Sequence, residues 1–167
     1  MIKKILVLAV SCALAAPVYA GVEEDHASCM KAMTKGDKLE DNTPEQRALV
    51  EKWCDCLVTQ VNLLKESKAT NVDSSKVSQS CYLTASLHQV TDNLKDDATP
   101  ADLMTACQGM MNVGNYKASG EDLKKLNTFC QCAQPKLADL WEKSDSMSDK
   151  DYDAGLYSMS EKCSAGL

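Results

Sequence analysis

Cysteine falls in one order twice along this 167-residue chain: Cys29, Cys54-Asp55-Cys56, Cys81, and again Cys107, Cys130-Gln131-Cys132, Cys163. No other feature restricts the fold as much, because a disulfide holds two Cα atoms within about 4.4–6.8 Å of each other. A ninth cysteine, Cys12, lies in residues 1–20, which read as a secretory signal. Lys3 and Lys4 give a positive start, residues 5–16 are apolar, Pro17 breaks the helix, and Val18-Tyr19-Ala20 supplies the two cleavage-defining positions. Cleavage after Ala20 leaves eight cysteines, the even number that disulfide pairing in an exported chain calls for. A competing reading makes Ala9-Val10-Ser11-Cys12 a lipoprotein cleavage box with Cys12 as lipid carrier, although the usual leucine sits one position early, at Leu8.

The chain after residue 20 carries 16 basic and 24 acidic residues, a formal balance of −8, and Arg47 is its single arginine. That charge argues against nucleic acid and against an anionic membrane surface as partners. No stretch beyond the signal holds the roughly 20 consecutive apolar residues of a membrane-spanning helix, so membrane insertion after cleavage is not expected. A basic protein is the electrostatic complement of such a surface, and solubility is its plainer use.

The cysteine order belongs to a longer repeat. A helix is expected from Thr43, where Thr43-Pro44-Glu45-Gln46 offers a capping oxygen, a proline at the first helical position and a capping-box glutamine. Val50, Trp53, Cys54, Leu57, Val61 and Leu64 then recur at steps of three and four, one continuous helical stripe. In the second half Ser119 starts a helix whose stripe is Leu126, Phe129, Cys130, Ala133, Leu137 and Leu140, and each position is its counterpart shifted by 76 residues. Such a match around a shared Cys-x-Cys points to duplication. Pro135 stands where the first copy has Thr59, and a kink is expected there.

Shorter helices flank each central one. Val22, His26, Cys29, Met30 and Met33 share one face before Gly36; Leu103, Met104, Cys107, Met110 and Met111 share the matching face between Thr99-Pro100 and Gly114. Third helices follow Asp73-Ser74, with Val77, Cys81, Thr84, Ala85 and His88 on one face, and Ser148, with Tyr152, Leu156, Met159 and Cys163. No segment alternates as a strand does. The expected fold is all-α: a tandem duplication of a disulfide-stapled three-helix unit, about six helices, spanning 21–90 and 99–167 with a polar linker at 91–98.

Cysteines at i and i+2 of a helix point about 200° apart, so they bond different neighbours rather than each other. Cys54 lies in the main stripe, and Cys56 on a second line with Leu49 and Leu63, which is expected to be buried as well. Excluding the Cys-x-Cys pair leaves two pairings per repeat. Helix register prefers Cys29–Cys54 with Cys56–Cys81, and Cys107–Cys130 with Cys132–Cys163; the crossed alternative stays open. Each bridge closes a loop of about 25 to 30 residues and stabilises by roughly 3 kcal/mol in the chain-entropy model.

Motifs for chemistry are sparse. The mid-helix Cys-x-Cys pairs suit structural bridges better than an activated thiol–disulfide redox pair. Met30, Met33, Met104, Met110 and Met111 beside Cys29 and Cys107 suggest a Cys/Met soft-metal carrier for copper, yet methionine on a core stripe is also an ordinary gap filler. His26 and His88, the two histidines, have no repeat equivalents and make a poor zinc set. Asp149, Asp151 and Asp153 alternate like an EF-hand loop, but Ala154 holds the glycine position, with Gly155 following, and Ser160 the closing-glutamate position, with Glu161 one too late. No phosphate loop, nucleophile elbow or metalloprotease helix is present. The expectation is an exported, periplasmic or secreted, non-catalytic binding or inhibitory module with no cofactor and another protein as its partner. Intact mass without reductant tests this frame: a chain starting at Gly21 and lighter by eight hydrogens is expected, whereas free thiols, retained copper or a lipidated Cys12 would each overturn part of it.

Overall fold

The structure, a computed structural model, describes residues 26–33, 43–70, 72–110 and 120–165. The expectations for the signal, Cys12, Val22, Gly36, Met111, Gly114 and Ser119 lie outside these residues. Among the described residues there are six α-helices and no strand: α1 (His26–Met33), α2 (Pro44–Glu66), α3 (Ser74–Asp92), α4 (Pro100–Gly109), α5 (Gly120–Lys143) and α6 (Asp149–Ser164), with a 3-10 turn at Ser144–Ser146 before α6. The fold is an all-α, disulfide-stapled one. The described residues fall into two compact units, and the division lies between Ala85 and Ser86, inside α3.

Helix starts follow from local chemistry. At α2 the Thr43 hydroxyl accepts from the Gln46 N–H and the Gln46 side chain accepts from the Thr43 N–H, a complete capping box ahead of Pro44. At α4, Thr99 and Asp102 make the same reciprocal pair ahead of Pro100. Asp73 accepts from the Ser75 hydroxyl and the Ser75 and Lys76 N–H groups where α3 starts. The Thr99 hydroxyl holds the Asp102 carboxyl below the usual range, and the Ser75 hydroxyl does the same for Asp73.

In the first unit α1 packs on α2, and α2 buries Trp53, Cys54, Leu57 and Val61. Trp53 sets its ring edge-on against Tyr82 of α3, with centroids 5.4 Å apart, and its indole N–H donates to the Ser78 carbonyl at 3.1 Å. In the second unit α5 packs against both α4 and α6, burying Leu126, Phe129, Cys130, Ala133 and Leu137. The repeated stripe is thus the core line of each unit, with its outer members Val50, Leu64 and Leu140 half-buried. α5 remains helical through Pro135. α6 comes close to α5 at Gly155, where a Cβ atom would lie 2.6 Å from Leu140 Cδ2.

The face expected for α3 is buried, but so are Ser80, Leu83, Ser86, Leu87, Val90 and Thr91. This helix is covered nearly all round. It manages that without an apolar pattern because Thr84 donates to the Ser80 carbonyl, and Thr91 to the Leu87 and His88 carbonyls. Two boundaries also differ from expectation: Thr91 and Asp92 belong to α3, and α4 ends at Gly109, ahead of Gly114.

α2 ends in a Schellman turn: Ala69 N–H reaches the Leu64 carbonyl and Lys68 N–H the Lys65 carbonyl. The motif needs a left-handed residue, and Lys68 takes it with φ 51°. A residue with a Cβ is strained there by roughly 1 kcal/mol relative to glycine. Lys68→Gly is therefore expected to raise unfolding stability by about that amount, read as a higher urea midpoint at unchanged slope.

Candidate functional site

Four bridges organise the chemistry: Cys29–Cys54, Cys56–Cys81, Cys107–Cys130 and Cys132–Cys163. The central helices α2 and α5 each carry two of them, one from each cysteine of the Cys-x-Cys. Their Cα–Cα distances run from 5.4 to 5.8 Å. Four intramolecular disulfides mark an oxidising environment.

The second cysteine line is not the buried line expected from the sequence. Cys56 is half-buried between half-buried Leu49 and Leu63, which is 51% exposed. In the second copy the same line reads Lys125, Cys132 and Asp139, all exposed. The reason is that one deep stripe already fills the packed side of each central helix. The i+2 cysteine then reaches its partner from the rim.

Other candidate residues separate. Met30, Met33, Met104 and Met110 are half-buried next to cysteines that are already bridged. His26 Nε2 lies 3.4 Å from Asp55 Oδ1 at the surface of the first unit, far along the chain from His88. Asp149, Asp151 and Asp153 are helical, so no EF-hand loop forms. Ser148 caps α6 by accepting from the Asp151 N–H, and its hydroxyl donates to the Asp151 carboxylate at 2.7 Å. Gly155 serves the approach of α6 to Leu140 rather than a metal loop. Among the described residues no group of three His, Cys, Asp or Glu side chains is placed to hold a metal, and no helix is long and apolar enough to cross a membrane.

One polar cluster was not anticipated. In the second unit the buried His88 donates from Nε2 to Asp153 Oδ1 at 2.8 Å. Its ring lies edge-on to Tyr152, with centroids 5.7 Å apart. Tyr152 and Thr91 share a side-chain hydrogen bond, and the carboxylates of Asp92 and Asp153 lie close enough to act on the phenol. Sequence spacing had put His88 and Tyr152 on the buried faces of their own helices. Their meeting depends on how α6 docks against the last turns of α3, which no local pattern encodes. No family model, no curated protein and no solved structure matches this chain.

Burial pushes the Tyr152 phenol above the ordinary tyrosine value; the Thr91 hydrogen bond opposes this, and the charges of Asp92 and Asp153 add to it. A group with a raised folded-state pKa contributes stability below its unfolded value and loses it as pH climbs through the folded one. Tyr152 ionisation is therefore expected above the normal phenol range, with stability falling as pH rises past about 10. Phenolate absorbance of the wild type minus that of Tyr152→Phe, alongside unfolding curves across that range, measures both.

Proposed function

We propose that this protein is an exported, periplasmic or secreted binding or inhibitory module that engages a basic protein partner and carries out no catalysis of its own. The observation that supports it most is the acidic surround of Tyr152. α3 has no basic residue in its last turn and ends on the exposed Asp92. A carboxylate at a helix C-terminus opposes the helix dipole. Asp153, also exposed, adds a second negative charge beside the same ring, and Asp149 and Asp151 extend the patch over the first turn of α6. Of these charges, Asp92 gains nothing from the dipole of the helix it ends. Together they attract and orient a cationic surface, and a half-buried tyrosine among them is a typical interface anchor.

The bridges support the same reading. They hold the helices in one arrangement, so little order has to be gained on binding. Pairing of all eight cysteines also favours a structural use of sulfur over a Cys/Met metal carrier, which needs free thiolates. Residues 1–20 fit the proposed route of export.

Photo-crosslinking in the cells that make the protein tests it, with a photoreactive side chain replacing the exposed Lys150 in the first turn of α6. One discrete adduct with a basic protein is expected, weakened by high salt and lost when Asp92→Lys and Asp149→Lys are combined. An adduct that survives both charge reversals, or one formed with an acidic protein, would overturn the reading.

A further inference from the structure

The four bridges are not equally reachable. Cys29, Cys54 and Cys130 are fully buried and Cys107 is 1% exposed, so two bridges have no sulfur near solvent. Cys56 is half-buried and its partner Cys81 fully buried. Cys132 alone among the bridged cysteines is exposed, and Cys163 beneath it is 5% exposed.

A second observation singles out the same place. An α-helix closes each turn with an N–H to the carbonyl four residues back. Pro135 lies inside α5 and has no N–H, so the Gln131 carbonyl lacks that partner. The missing rung spans Cys132. In the first copy the corresponding residue is Thr59, which keeps its N–H and lies inside the continuous helix α2. Lys136, exposed one turn beyond Cys132 on the same face, sets a positive charge where an incoming thiolate would approach.

We propose that Cys132–Cys163 is a thiol–disulfide exchange site, open to a dithiol reductant or dithiol protein, and that the other three bridges are structural. This does not depend on the binding role argued above. The step is a two-electron exchange. A thiolate of the dithiol attacks Cys132 Sγ, the bond to Cys163 Sγ breaks, and Cys163 leaves as a thiolate that takes up a proton. The second thiol of the reductant, once deprotonated, attacks its own sulfur in the mixed disulfide. Cys132 is released and protonated, and the reductant closes its disulfide. Attack at Cys132 is the productive direction because Cys163 is covered. Opening the bridge frees the last turn of α6 from α5, while buried Leu156 and Met159 and the His88–Asp153 contact still hold the rest of that helix.

Timed reduction of the purified protein with dithiothreitol, without denaturant, followed by alkylation and peptide mass mapping, tests the proposal. Adducts on Cys132 and Cys163 are expected first, several-fold ahead of Cys56 and Cys81, with helical circular dichroism retained in the two-thiol species. Opening of any other bridge first, or of all four together, would overturn it. Pro135→Thr, which restores the rung, is expected to slow this one bridge and leave the Cys56–Cys81 rate unchanged; an unaltered rate at Cys132 overturns the part assigned to the proline. If Pro135→Thr fails to fold, the order of opening in the wild type still decides.

Discussion

Everything in this fold depends on a helix crossed by two covalent ties that leave it in opposite directions. A Cys-x-Cys on a helix cannot close on itself, so it must recruit a neighbour on each side. Cys54 and Cys56 draw α1 and α3 to α2; Cys130 and Cys132 draw α4 and α6 to α5. Each tie also fixes the register of a helix pair, because the Cα atoms at the bridge come within 6 Å. Units of this size bury a modest core. One sulfur pair per unit sits inside that core and acts as packing as well as linkage, whereas the other reaches in from the rim.

The sequence repeat treats the two ties differently. The buried stripe keeps its character in both copies: Trp53 becomes Phe129, Leu57 becomes Ala133, and Val61 becomes Leu137. The rim line does not. Leu49 and Leu63 give way to Lys125 and Asp139 around an unchanged cysteine. Packing constrains the first set through shape and volume. Solvent constrains the second hardly at all, so the surface around the rim bridge is where the copies have parted.

Much of the architecture was legible in the residues themselves. The stripe, the capping residues at Thr43, Thr99 and Ser148, and the all-helical class each rest on a local rule with its own period or spacing. What was not legible depended on tertiary contact. Burial on α3 runs past its expected face to residues such as Thr91, whose hydroxyl reads as polar in sequence yet turns back onto its own backbone. The i+2 line looked buried because leucines flank Cys56, but burial is decided by whether a neighbour covers the line. The His88 cluster was invisible for the same reason: His88 and Tyr152 are far apart in sequence, and each looked like ordinary packing on its own helix.

The position of His88 bears on how this chain can be divided. The polar stretch after Asp92 is the natural place to cut between the cysteine repeats. A fragment ending there keeps the His88 imidazole and the Thr91 hydroxyl but loses Asp153 and Tyr152, which satisfy and cover them. A fragment starting at Thr99 keeps Tyr152 and loses the surface on which it rests. Either piece inherits a complete set of cysteines and an incomplete interior. Covalent closure and a finished core are separate properties here, and a protein can be cut so as to preserve the first while losing the second.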